Sequence, residues 1–289
     1  MAPDLPTYKL SDLATPDIQA YLRHKDLVMV PIGSCEQHGR HLPLCTDMVT
    51  AEVVASRAGE RAKVLYTPLL WAGYSPQHMG APGEGLGTVT LRASTVAALY
   101  LDVARSLVHH GFNKILFVNG HGSNMKVIEP VLRKLKYETG AWCGVYKPYA
   151  ENYLGLLEGV LENPPAETPG WHASELETSQ MMAWNPALVR MDRAVVDATR
   201  TPPMLPGSFM KRDGMPDVEF RGYKYFVFPM DHREFSPTGC IGNPMRATAA
   251  KGEKAFALYV DHLVAALGEF EKVKVEVDAR RRAFEERSL

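Results

Sequence analysis

The most confining feature of the sequence is an apolar run that ends in polar groups: residues 27–47 read LVMVPIGSCEQHGRHLPLCTD. Leu27 to Ile32, closed by Gly33-Ser34, predict a buried strand of a parallel sheet, because a strand covered on both faces has no polar side to alternate with. Such a strand delivers the next residues of the chain to the carboxyl edge of the sheet, where open α/β sheets keep their sites. Those residues include Glu36, His38, His41 and Asp47. Glu36 and His38 stand at i and i+2, so extended backbone points both side chains one way and Gln37 the other. Imidazole and carboxylate form a donor set for Zn²⁺, Mn²⁺ or Fe²⁺. Asp47 opens an amphipathic run, Met48 to Ala62, and a carboxylate there could bridge two metals. The same residues also read as a helix N-cap at Asp47 and polar loop groups at Glu36, His38 and His41, so ligands from elsewhere in the chain must decide.

Strand and helix patterns alternate through the first half. Val64 to Leu70 predicts a second strand, with Pro68 placing it near an edge. A Gly- and Pro-rich loop of functional length, residues 71–91, precedes a helical periodicity over Ala93 to His110. Lys114 to Val118 is the most apolar strand, a helix spans about Asn124 to Thr139, and Ala141 to Pro148 forms a fourth strand. This order predicts an α/β fold, a three-layer α/β/α sandwich with a mainly parallel sheet. With 289 residues and 46% hydrophobic content, one domain over residues 1–289 can bury its own core. The second half reads as loops over Thr201 to Asp217, a short strand at Phe226 to Pro229, a closing helix from Ala247 to Phe270 and a charged tail.

A net charge of −1 gives no reason to expect nucleic acid or an anionic membrane as partner. No apolar run approaches the roughly 18 residues of a membrane span, and the first residues lack a signal-peptide pattern, so a cytoplasmic protein is the default expectation. Four scattered cysteines read as reduced thiols, and Cys35 lacks neighbours that would stabilise a thiolate.

Two further motifs bring candidate groups to the same edge. The strand at 114–118 runs into Asn119-Gly120-His121-Gly122-Ser123-Asn124, where a sharp turn holds His121 beside the first cluster. An incidental histidine in a glycine-rich turn is the plainer reading, and a phosphate cradle lacks its lysine and its glycine spacing. Farther on, residues 171–179 read WHASELETS; on a helix running to Trp184, His172 and Glu175 share a face and Glu177 lies well around from them. An ordinary acidic helix start fits the same residues.

Taken together, GSCEQHGRHLPLCTD, NGHGSN, HASELETS and SPTGCIGNPMRATAAKGE resemble the creatininase family, over most of the chain from Leu27 to about Glu253. The resemblance implies a metal-dependent hydrolase of α/β/α sandwich fold, with one or two divalent ions per subunit (Zn or Mn, with Fe as a further option), and a homo-oligomer, often a hexamer. Carried over by position, it implies Glu36, His38, Asp47 and His121 as metal ligands, Asp47 in the bridging place, and His172 as a proton shuttle. Ser123 stands where creatininase has an acidic ligand, and we expect Glu175 to replace it, with Glu177 orienting His172 or holding the helix. A second departure is PGEGLGT at residues 82–88 where the family reads a compact PGT, which reshapes the pocket rim.

Such ions would acidify a bound water and polarise a carbonyl, and His172 would move a proton to the leaving atom. Tyr74, His78, Ser123 and Trp171, with Tyr223 beside them, are the candidate substrate contacts. The leading expectation is therefore hydrolysis of a small cyclic amide. Ring-opening C–C hydrolysis of an inosose-type cyclic polyol ketone is the alternative, to which Arg40, His41, His78 and His232 lend donors, and a non-catalytic metal-binding scaffold is the third reading.

Overall fold

The computed structural model describes residues 4–148, 155–162, 172–278 and 281. Trp171, residues 163–170 of the Pro-rich loop and residues 282–289 of the tail lie outside them. The first apolar run forms β1 (Leu27–Ile32), every residue of it buried. It is the second strand of a four-stranded sheet of order β2-β1-β3-β4, with β2 (Leu65–Tyr66), β3 (Lys114–Asn119) and β4 (Trp142–Tyr146) all parallel to their neighbours. The second strand is shorter than its apolar run. Pro68 has no N–H to give a ladder, and the chain returns only as a bridge between Leu70 and Ile32.

Helices α1 (Thr15–Leu22), α2 (Thr46–Ala62), α3 (Ala93–His109) and α4 (Met125–Thr139) fill the first half. The chain leaves β1 toward β2 on one side, whereas β3 leads to β4 on the other. Right-handed crossovers therefore put α2 on one face of the sheet and α3 and α4 on the other. The packing agrees: α3 lies against α4, while α2 and α5 (Glu175–Trp184) lie against the closing helix α7 (Ala249–Glu271). This is the three-layer sandwich expected from the alternation. The reversal of direction between β1 and β3 opens a crevice beyond their carboxyl ends, the position where such sheets bind ligands.

Side-chain amides tie those two strand ends together. Asn124 donates through Nδ2 to Gly33 O (3.0 Å) and Asn119 Oδ1 (3.1 Å), and Asn119 in turn donates to His121 O (2.8 Å). Gly120 lets the first turn of α2 come close: a Cβ there would sit 2.0 Å from the Asp47 carbonyl oxygen.

The second half corrects the reading from sequence. The stretch expected to be loop holds β5 (Phe209–Met210) and leads into β6 (Asp217–Phe220), and the strand expected at 226–229 is β7 (Tyr223–Val227). They form a separate antiparallel sheet of order β5-β6-β7, with a register shift at Val218/Glu219. The strands are short and β7 is exposed throughout, so no clean apolar alternation marks them. Phe209, Phe220, Phe226 and Phe228 pack ring to ring around this sheet. A four-residue helix, α6 (His232–Phe235), comes after it and returns the chain to the crevice. Among the described residues no helix is long and apolar enough to cross a membrane.

Candidate metal centre

Beyond the carboxyl ends of β1 and β3, five side chains converge. His121 Nδ1 lies 2.9 Å from Asp47 Oδ2 and 3.2 Å from Glu36 Oε2; His38 Nε2 lies 3.2 Å from Asp47 Oδ1 and 3.8 Å from Glu177 Oε2. Two sets of ligand spacing result, Glu36-Asp47-His121 and His38-Asp47-Glu177, and Asp47 belongs to both. Both histidines have their second nitrogen engaged by a backbone carbonyl: His38 Nδ1 by Glu36 O (3.1 Å) and His121 Nε2 by Tyr74 O (3.1 Å). Donation to those carbonyls places the proton there and turns a lone pair toward the carboxylates, the arrangement of metal-binding imidazole. Asp47 Oδ2 is buried, close to His121 and yet without an aligned hydrogen bond. Lone pairs facing lone pairs across this gap fit divalent cations, as do the N and O donors.

The charges of the five groups press on one another. Burial works against charge on His38, but Asp47 and Glu177 outweigh it and raise the imidazole to about 10. Burial likewise opposes charge on His121, which Glu36 and Asp47 lift to about 9. Burial pushes Glu36 and Glu177 up to about 7, whereas Asp47, despite its burial, is held far below the carboxylate range by the two histidines. The cluster thus holds excess acidic groups that protons or a cation must balance.

Asp47 is not the helix cap. Cys45 takes that position, and Asp47 in the first turn of α2 turns its carboxylate into the cluster. Glu175 does not enter it. Its carboxylate is fully buried, pairs with Lys251 Nζ at 2.6 Å and accepts the Glu162 N–H at 3.1 Å, and no ligand-spaced group among the described residues contains it. The expected roles of Glu175 as ligand and catalytic group are therefore corrected, and Glu177 stands in its place. The cause is local: α5 begins only at Glu175, Ala173 adopts φ 51°, and His172 lies outside the helix in a bridge to Ile241. The helical phase that paired His172 with Glu175 does not exist. Glu177, third in the helix, reaches back to accept the Ala173 N–H at 2.6 Å and faces His38.

His41 also leaves the cluster, with Nε2 2.9 Å from Thr178 Oγ1. Ser123 accepts from Gln77 Nε2 at 2.7 Å and belongs to no ligand-spaced group among the described residues. Both Ser123 and Tyr74 line the cavity above the cluster, which has a volume of about 1170 Å³. His78 lines it as well, its Nε2 3.1 Å from Glu36 Oε1. Tyr223 does not; it is 67% exposed on β7. Burial raises the Cys35 thiol, which faces Gly87 O.

His172 stacks on His38 with ring centroids 4.2 Å apart, and its Nε2 lies 2.7 Å from Gln37 O. Burial and the charge on His38 hold it well below the usual histidine range. His232, from α6, completes a group of three buried histidines with His78 and His172. Spacing alone does not bring a residue of the far half of the chain here; the only sequence signal is its place shortly before the SPTGC motif.

A family model described as creatinine amidohydrolase, of the creatininase family, matches residues 11–267. The chain is similar to creatinine amidohydrolase of Pseudomonas putida, at 28% identity over 84% of this chain and 89% of that one. It is similar to the mycofactocin precursor peptide peptidase of Mycobacterium tuberculosis, at 30% identity over 82% of each chain. A 3-dehydro-scyllo-inosose hydrolase of Thermotoga maritima is 24% identical over 85% of this chain and 78% of that one. Among solved structures, a creatininase variant described as the Zn–Zn type superposes with a TM-score of 0.72 at 26% identity, covering 93% of this chain and 100% of the other. A manganese creatininase gives 0.70 at 26% identity, with 92% and 100% covered.

Proposed function

Because the chain belongs to the creatininase family of metal-dependent hydrolases, we propose that it hydrolyses an amide C–N bond in a small molecule, at a two-metal centre held by Glu36, His38, Asp47, His121 and Glu177. The observation that carries this reading is the pair of ligand-spaced groups sharing Asp47, with His172 against them on the wall of one cavity. Divalent zinc or manganese there would acidify water and polarise a carbonyl.

The chain's own groups divide the remaining work. Glu36, Asp47 and Glu177 would supply the negative charge that holds divalent cations. The carbonyls of Glu36 and Tyr74 keep His38 and His121 aimed inward. His172 donates through Nε2 to Gln37 O, which leaves Nδ1 as the nitrogen able to take a proton and pass it to the departing amine. Burial and the charge on His38 keep it a neutral imidazole, with Nδ1 unprotonated.

A cyclic amide is the leading substrate class, in line with the Pseudomonas relative's name. A linear peptide amide is the second reading, favoured by a cavity of about 1170 Å³, far more than one small ring fills, and by the peptidase named among the relatives. Family membership also supports a homo-oligomer, with a hexamer as the expected form.

The test is activity on creatinine and related lactams, short peptides and an inosose-type ketone, before and after chelation, on a species whose mass is fixed by light scattering. Amide hydrolysis that is lost on chelation and restored by Zn²⁺ or Mn²⁺ is expected. Turnover of the ketone alone would replace C–N with C–C cleavage, and activity indifferent to chelation would refute the metal centre.

A further inference from the structure

The side chain of Gln37 points away from the cluster into the three histidines His78, His172 and His232. Its amide orientation is fixed from behind: Oε1 accepts the Gly39 N–H at 3.1 Å, and Gly239 packs so closely that a Cβ there would lie 2.2 Å from Oε1. Nε2 must therefore face the rings, at 3.0 Å from His78 Nδ1, 3.3 Å from His172 Nε2 and 3.3 Å from His232 Nδ1.

An amide nitrogen has two hydrogens for these three neighbours. The 2.7 Å contact between His172 Nε2 and Gln37 O requires a proton on that nitrogen, so His172 is a donor and needs none from the amide. The two amide hydrogens go to His78 Nδ1 and His232 Nδ1. A neutral imidazole that accepts at Nδ1 carries its proton on Nε2. For His78 that proton is used, because Nε2 faces Glu36 Oε1 at 3.1 Å.

For His232 it is not. Its Nε2 has no hydrogen-bond partner among the described residues, and it is not sealed from solvent although the residue is only 5% exposed; the ring lies on the cavity wall. Burial, with His38 and Lys211 adding positive charge, lowers His232 to about 3, so the ring stays neutral.

We propose that Gln37 is a positioning residue that fixes the tautomer of His232, and that His232 offers its Nε2–H to an acceptor oxygen of the substrate. A neutral donor held in one orientation on the cavity wall needs little reorganisation to meet a carbonyl or carboxylate oxygen. The donor's use rests on the hydrolase reading above; the tautomer does not.

The experiment takes the full chain, loaded with zinc and labelled with ¹⁵N-histidine, and reads long-range ¹H–¹⁵N correlations with and without acetohydroxamate. His232 is expected as the Nε2–H form in the wild type and as a tautomer mixture in Q37L. Acetohydroxamate should shift its Nε2–H resonance. His232→Phe should weaken acetohydroxamate binding roughly five- to tenfold, the loss of about one hydrogen bond. His232→Gln, which returns an N–H near the same point, should restore it to within about twofold, and zinc content should match the wild type in both. An Nδ1–H or charged His232 in the wild type overturns the proposal. So does an Nε2–H resonance that acetohydroxamate leaves in place, a result readable even if His232→Phe fails to fold. Protein that takes up no zinc yet keeps the Nε2–H form would refute the metal centre while supporting the tautomer.

Discussion

Two glutamates two residues apart, both at the start of α5, have opposite fates. Glu175 neutralises Lys251 beneath the helix, while Glu177 meets His38 across the crevice. Glu177→Gln should therefore lower bound zinc from two per chain toward one and cut turnover by about a hundredfold or more, since a metal site that loses a carboxylate loses charge as well as geometry. Glu175→Gln should keep the zinc, measured by metal analysis, and cost about 1–3 kcal/mol in denaturant unfolding, because a buried partner of Lys251 is weakened. The sequence shows why the first pair is easier to read than the second. Glu36 and His38 lie on extended backbone, where parity alone says which side chains agree. His172 and Glu177 are separated by the positive φ of Ala173, a kink no spacing rule anticipates at an alanine.

Elements were legible where burial is two-sided. β1 and β3 stand out as unbroken apolar runs, and their glycine-terminated ends correctly point to the edge where the candidate ligands gather. The small antiparallel sheet did not, because strands of two to five residues with exposed faces leave no periodicity to detect. Between α2 and β3 the fit is set by a missing side chain. Gly120→Ala would drive a Cβ against the Asp47 carbonyl, so about 1–3 kcal/mol of stability and roughly tenfold or more in zinc affinity should be lost together. Gly122→Ala, two residues on, meets nothing within 4 Å and should stay within about 0.5 kcal/mol. Thermal melts and zinc titration of the two variants side by side check this.

For the molecule as a whole, the raised groups of the cluster make the metal-free fold lose stability above neutral pH, and bound metal offsets that loss. His38 and His121 have folded pKa values, about 10 and about 9, above the unfolded value near 6.5; their contribution is complete below about 6.5 and lost as pH rises through 9 to 10. Glu36 and Glu177, raised to about 7, act in the same direction, becoming costly as they ionise. The lowered histidines His41, His78, His172 and His232 work the other way below about 6.5, where they would charge only in the unfolded chain. Metal-free protein should thus lose melting temperature as pH rises from about 7 to 9 and the raised groups give up their protons. Zinc replaces those protons, so the gap between loaded and metal-free protein should widen over that range, by about 10 °C where free zinc exceeds its dissociation constant a thousandfold. Scanning calorimetry at several pH values measures both slopes. The five converging groups also come from far apart along the chain: positions 36, 38 and 47, then 121, then 177. No fragment emerging early from a ribosome contains the set, and each long loop must close before the next donor arrives. A cation can therefore select only chains whose topology is already complete, and it works as a late lock on the finished fold rather than as a seed for it.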